Sequence, residues 1–434
     1  MAEASTAHAC SEGAINPALR VFNVPPTDIS INAYHMVTIQ PTTTGINPME
    51  FIIPALDDYV DLGGSYFTME LRLKKDNNAN LVANKNLWPV NNLAHSIIKQ
   101  IDLQLHGTLI SPQSDTYHYK AYIENLLNFN REDGKTVLAP QGWFNAVDFP
   151  PQWTANNTDS TTPHADYRNL SANHKAALAA SRAETANYAA RATYSYSPNL
   201  FLNGVALAGR LVEGDVKLRF HLCQLRLNET VYKTLSAQRH NDKQLATYPT
   251  VRSEIRTFSM QGNLTRFDIP NLFQNRIPDR FIAALLDSRA FNGDVTRDPF
   301  CFHKFGLSSF RQIVRGEEYP YETLQLVHDT AARDNLGYFR FLQASGAWCE
   351  RQGNMVERKD WGQAQNCTLF MFDDVANGCA DSQRLNPKQT GGLQLSLEFG
   401  AAPATNITVL VYGEFEKLLE IDSNGAVLYD IYQH

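Results

Sequence analysis

Charge is scarce in this chain. Of 434 residues only 19% are Asp, Glu, Lys or Arg, and 38 basic against 45 acidic side chains leave a net charge of −7. No dense block of Lys and Arg occurs. A nucleic-acid clamp needs such a block to displace counterions from phosphates, so direct sequence-specific nucleic-acid binding is not expected. Long apolar runs are missing too, since none reaches the ~18 to 20 residues of a membrane span. Met1 to Arg20 has neither a basic n-region nor an apolar h-region, so secretion by a cleaved signal is not expected. The six cysteines (Cys10, Cys223, Cys301, Cys349, Cys367, Cys379) form no C-x-x-C and meet no histidine pair at ligand spacing, and they read as reduced structural thiols. Six N-x-S/T matches (Asn156, Asn169, Asn228, Asn263, Asn366, Asn406) would matter only in a secretory protein.

The signatures of catalysis are equally absent. No G-x-x-x-x-G-K-[ST], G-x-G-x-x-G, H-E-x-x-H or G-x-S-x-G occurs, and the nearest phosphate-loop approach, Gly134-Lys135-Thr136, has Phe129 where the first glycine belongs. The 12 histidines are scattered, and His303, between Phe302 and Lys304, reads as packed or surface rather than as a ligand. Asp57-Asp58 and Asp373-Asp374 are adjacent pairs, and neighbours on extended backbone point to opposite faces, so they read as turn or cap residues rather than converging carboxylates. No enzyme, cofactor or metal site is expected.

What is present is strand pattern. Hydrophobic residues make up 43% of the chain, enough for a large core. Strict alternation recurs: Phe67, Met69, Leu71 and Leu73 against Thr68, Glu70, Arg72 and Lys74; Val216 to Leu222; Ile101 to His106; Leu393 to Phe399. Such period-2 segments predict antiparallel sheets with one buried and one wet face. Turn signals such as Asn292-Gly293, Gly391-Gly392 and Asn424-Gly425 separate them. Two helices are predicted. One runs from Asp115, as its cap, to Asn128, with Tyr119, Tyr122, Ile123 and Leu126 at i, i+3, i+4 and i+7; the other is the Ala-rich stretch 172–192.

At ~150 residues per domain the length suggests three domains, but all-β sandwiches of ~200 residues make two fit equally well. The halves decide between them. In the first, the strand Ile101 to His106 ends at Gly107, passes Ser111-Pro112 and enters an aromatic helix; in the second, Phe310 to Val314 ends at Gly316, passes Glu317 to Pro320 and enters a segment holding Tyr338, Phe339, Phe341 and Leu342. The shared order predicts two similar β-sandwiches with a polar boundary near Ser236 to Thr250.

Two aromatic loops and one polar pair stand out. Trp143, Phe144, Phe149 and Trp153 surround Pro150-Pro151; a sugar-stacking platform is conceivable, but a loop buried against a neighbouring domain or subunit is favoured. Phe300 and Phe302 are a second aromatic group outside the alternating strands. Asp287 and Arg289, two apart on an extended run, share a face and read as an architectural pair beside the Asn292-Gly293 turn.

Those residues carry a family resemblance. Arg280 to Gly293 followed by Asp298-Pro299-Phe300-Cys301-Phe302, then Leu397-Glu398-Phe399-Gly400, Ile407 to Glu416 and Glu420-Ile421-Asp422, resemble the hexon-like major capsid proteins of adintoviruses and related Polinton/Maverick elements. Asp58-Tyr59-Val60-Asp61-Leu62 and the block from Gly107 to Glu124 are similar as well, so the likeness runs through residues 24 to 430. The Ala-rich segment and Asn77 to Asn86 depart from the pattern. The resemblance implies an all-β double jelly roll of two eight-stranded sandwiches with short helices in long loops: an arm at 1–22, a first roll at 23–240, a second at 241–422 and a tail at 423–434. It implies a homotrimeric capsomer that tiles an icosahedral virion around double-stranded DNA. Neighbouring capsomers, vertex and minor capsid proteins are its partners, and an internal membrane is allowed but not indicated. Asp58, Tyr59, Asp61, Asp287, Arg289, Phe291, Asn292, Gly293, Phe415, Glu416 and Glu420 are then assembly or structural residues, and Trp143, Phe144, Trp153, Phe300 and Phe302 are candidates for intersubunit or inter-roll contact. A carbohydrate-binding β-sandwich and a minor capsid protein are the competing readings.

Overall fold

The computed structural model describes residues 24, 27–43, 48–54, 56, 58–70, 73–75, 87–89, 91–111, 114–143, 200–202, 209–211, 217–293, 298–326, 335–350, 353–358, 360–362, 367–378, 380 and 385–429. Phe144, Trp153, the Ala-rich stretch 172–192 and Asn77 to Asn86 lie outside the described residues.

In the N-terminal half the strands are β1 (Ile31–Ile39), β2 (Tyr59–Glu70), β3 (Leu73–Lys75), β4 (Leu87–Pro89), β5 (Gln104–Leu105), β6 (Thr108–Leu109), β7 (Leu200–Leu202), β8 (Gly209–Leu211) and β9 (Lys217–Leu227). Helices α1 (Leu93–Ser96), α2 (Tyr117–Asn128) and α3 (Arg131–Lys135) interrupt them. The pairing is nested: β5 with β6 innermost, then β4 with β7, β3 with β8, and β1 and β2 on either side of β9, all antiparallel. Helix α4 (Glu229–His240) leads to the second half and occupies the first part of the predicted boundary. Asn228 starts it by accepting from the Thr230 N–H at 2.9 Å.

The C-terminal half is built from β10 (Ala246–Met260), β11 (Arg266–Ile269), β12 (Arg276–Ile277), β13 (Arg280–Asp287), β14 (Leu307–Val314), β15 (Glu317–Glu318), β16 (Leu324–Gln325), β17 (Leu369–Asp373), β18 (Gln389–Thr390), β19 (Leu393–Phe399), β20 (Ile407–Ile421) and β21 (Val427–Tyr429), with helices α5 (Ser288–Phe291), α6 (Asn335–Ala344) and α7 (Ala347–Glu350). One sheet runs β10-β20-β13-β17 and the other β11-β19-β14, with β15 and β16 on β14. The pairing nests again: β10 with β20, β11 with β19, β13 with β17, β14 with β16. A long antiparallel hairpin folded over on itself in this way is a jelly roll. The two sheets meet through aromatics, Phe310 of β14 stacking on Phe370 of β17 with ring centroids 4.3 Å apart.

The halves repeat one another in detail. In each, the last long strand lies between the first strand and a strand from early in that half, as in β1-β9-β2 and β10-β20-β13. In each, a two-residue hairpin turn has both residues left-handed: His106 and Gly107 at φ 47° and 80°, Arg315 and Gly316 at φ 54° and 92°. Positive φ at both positions matches the twist of the flanking strands, and glycine takes the second position without strain. A helix follows each turn, α2 or α6.

Two sequence expectations about these elements need correction. Ile101 to Leu103 lie outside any strand, and only Gln104–Leu105 pairs. Asp115 does not cap α2; Thr116 holds the cap position and Asp115 pairs instead with Lys99 at 2.7 Å. Every residue of β13 and β17 is buried, so neither strand has a wet face there, and α6 packs on β17.

Candidate assembly surfaces and the seam between the rolls

The apolar stripe of α2 faces the second roll. Tyr119, Tyr122, Ile123 and Leu126 are at most 6% exposed and belong to one continuous core with the sheets of the C-terminal half. Tyr122 stacks on Phe300 with ring centroids 4.1 Å apart and planes 10° apart, and it touches Trp143 at 5.2 Å and Phe302 at 6.1 Å. Tyr119 stacks on Phe291 at 5.8 Å. Burial drives the Tyr122 phenol well above its ordinary pKa, so it stays neutral.

Polar groups fasten the same seam. The Arg131 guanidinium on α3 reaches Glu357 at 2.7 Å and Asp360 at 2.6 Å. The Met355 N–H donates to the Leu126 carbonyl at 3.0 Å, joining the end of α2 to the opposite roll. On β20 the Tyr412 hydroxyl lies 2.8 Å from Glu414 and 3.1 Å from Glu124 of α2, and Arg280 donates to Glu414 at 2.8 Å. One phenolic proton cannot serve two carboxylates. Burial raises the Glu124 pKa.

The described aromatics among those expected at contacts are thus occupied within one chain. Trp143, Phe300 and Phe302 are 4%, 3% and 0% exposed, and side chains so enclosed leave no area for a second subunit. Of the two contacts expected for them, between subunits or between rolls, these three side chains take part in the one between the rolls.

The other singled-out residues are dispersed. Asp58 pairs with Arg226 at 3.4 Å, and Tyr59 packs edge-on to Tyr232 at 6.4 Å. Asp61 accepts from the Gly63 N–H at 2.9 Å, where β2 bulges between Asp61 and Tyr66. Asp287 and Arg289 do not share a strand face, because β13 ends at Asp287 and the chain turns into α5. Asp287 caps that helix by accepting from the Arg289 N–H at 2.9 Å, while the Arg289 side chain sits 3.8 Å away and outward. Phe291 is in α5, and the Asn292-Gly293 turn follows with Gly293 at φ 91°. Phe415 lies edge-on to Phe273 at 5.4 Å; Glu416 accepts from the Asn386 backbone and side chain at 2.6 and 2.9 Å; Glu420 sits opposite Thr247 on the β10–β20 ladder. Asp373 accepts from the Val375 and Ala380 N–H groups, both at 3.0 Å, which is turn duty.

Among the described residues no three His, Cys, Asp or Glu side chains gather to hold a metal. Burial pushes His118 and His303 down to about 4, so both are neutral packed rings. The Arg131–Asp360 and Glu124–Tyr412 contacts escaped sequence reasoning because the partners lie 229 and 288 positions apart and no local period marks them.

No protein-family model matches the chain. An uncharacterized protein of Caenorhabditis elegans is 23% identical over 423 residues, which covers 91% of this chain and 96% of that one. Among solved structures, the chain is similar to the Sputnik virophage structure determined by cryo-EM, with TM-score 0.55 and 10% identity over 96% of this chain and 92% of the other. It is similar also to PBCV-1 VP54 fitted into a reconstruction of Sputnik, with TM-score 0.54 and 10% identity over 95% of this chain and all of the other. At such identities the likeness is one of fold: the chain is a double jelly roll.

Proposed function

We propose that this chain is the major capsid protein of a double-stranded DNA virus or virus-like element of the adintovirus and Polinton/Maverick kind, three copies forming a pseudo-hexagonal capsomer. The observation that carries the reading is the nested eight-strand roll present in the C-terminal half and echoed in the N-terminal half, over the full length of PBCV-1 VP54. Two rolls side by side give one subunit two equivalent corners, so three subunits supply six. The nematode relative, matched over 96% of its length, suits an element carried in an animal genome. The seam supports the reading physically. A subunit that must present two rolls at a constant angle needs them locked, and α2 with its buried aromatics and the Arg131 clamp does that. With a net charge of −7, the chain contacts other capsid proteins rather than condensing the genome. Light scattering and negative-stain imaging of the purified protein test this. A particle near three times 48.7 kDa with hexagonal outline, or closed shells, is expected; a stable monomer retained on a glycan column would overturn it.

A further inference from the structure

The charged run Arg252-Ser253-Glu254-Ile255-Arg256 on β10 turns its three charges inward. The register sets Arg252, Glu254 and Arg256 opposite Phe415, Gly413 and Val411 of β20, and period 2 puts all three on one face. That face is the inner one, because Val411 is fully buried and Gly413 lies under Phe273, whose ring a Cβ would meet at 2.5 Å. From the other side Arg276 of β12 crosses the Phe415 ring at 4.9 Å and forks onto Glu254, at 3.0 Å to Oε1 and 2.8 Å to Oε2.

The fork takes both carboxylate oxygens. Arg252 Nε stands 3.4 Å from Oε1 and Arg256 Nη2 3.8 Å from Oε2, and neither makes a hydrogen bond there. Three guanidiniums face one carboxylate, and among the described residues no other acid pairs with Arg252 or Arg256. The Arg252 side chain is 10% exposed, and its Nε is buried with no hydrogen-bond partner. An enclosed charge that shares one carboxylate with two other guanidiniums is costly, and arginine cannot relieve the cost by losing its proton.

We propose that Arg252 and Arg256, flanking the Glu254–Arg276 fork, form a binding site for an oxyanion of the phosphate or carboxylate class. Guanidinium edges present paired donors that match such oxygens two at a time. The Arg256 and Arg276 side chains are 31% and 26% exposed, which leaves an approach from solvent, while Arg252 closes the inner end. An anion there offsets the surplus positive charge and ties β10 to β12 at the mouth of the second roll. It goes beyond a shell-building role, since it gives the roll a ligand.

The test titrates the full-length protein with sodium phosphate, and separately with sodium acetate, in chloride buffer at constant ionic strength. Phosphorus NMR line width and the thermal midpoint are the readouts. A saturable response to phosphate is expected, weakened at least tenfold in R252Q and in R256Q but unchanged in R219Q, which alters a remote arginine on β9. A parallel response to acetate would assign the whole oxyanion class, and its absence the phosphate type. No saturable response to either anion, or undiminished binding in R256Q, would overturn the proposal. R256Q alone decides should R252Q not fold, because its side chain is the more exposed of the two.

Discussion

Replacing Asp374 by Asn should stabilise the protein at neutral pH. Asp374 follows β17, its residue is 1% exposed, and its Oδ1 lies 2.5 Å from the Gln312 side-chain amide. Its Oδ2 and the Gln312 Oε1 are both buried without a hydrogen-bond partner, and the carboxylates of Asp373 and Asp279 lie near. Burial, more than those neighbours, raises the pKa from 3.8 to about 8. Between these two values the folded chain therefore holds a proton that the unfolded chain has lost, so stability falls as pH rises through that window and levels off above it. At ~1.4 kcal/mol per pH unit the accumulated loss at pH 7 is about 4 kcal/mol. Asn keeps the shape, carries no charge and can pair amide to amide with Gln312. Urea unfolding of both proteins from pH 4 to pH 9 measures the effect. The variant should match the wild type near pH 4 and exceed it progressively to pH 8. A pH-independent difference, or a less stable variant at pH 8, would refute the reasoning.

Other expectations concern the seam and the core. R131A breaks the contacts to Glu357 and Asp360 and should cost about 1.5 to 3 kcal/mol, with faster hydrogen exchange at the Met355 amide as the local readout. F302A empties a fully buried site in the aromatic stack and should lower stability by ~3 to 5 kcal/mol, read from the denaturant midpoint. G337A places a Cβ 2.1 Å from Trp361 Cη2, whose Nε1 is held by the Leu369 carbonyl at 2.8 Å. Because the indole cannot step aside, overpacking should cost ~1 to 3 kcal/mol and shift the tryptophan fluorescence. Y412F removes the hydroxyl that bridges Glu124 and Glu414 and should speed amide exchange in α2 at neutral pH, while unchanged exchange there would count against the bridge.

Much of the architecture is local enough to be read from residues in order. Alternation in 393–399 places Leu393, Leu395, Leu397 and Phe399 inside, and all four are buried. The stripe on α2 announces a buried helix face, and the matched order of hairpin and helix in the two halves corresponds to matched I′-type turns and nested pairing. Helices α4 and α6 were not legible, since α4 has no buried residue and α6 reads as an aromatic cluster until its partners on β17 are known. The run at 281–286 is apolar throughout, and only the tertiary structure shows what covers both of its faces.

By itself, then, the sequence determined most of the period-2 strands, the doubled order, the want of a catalytic or phosphate-loop pattern, and the inner face of β19, because each depends on neighbours a few positions apart; Phe67, read as inward on the same pattern, is 50% exposed. The tertiary structure decided what those faces meet. Burial of Trp143, Phe300 and Phe302 inside the seam, the Arg131 clamp, the proton on Asp374 and the surplus arginines around Glu254 all arise where segments distant in the chain exclude water together. The energy of a charge or an aromatic ring is set by that exclusion and not by its place in the chain.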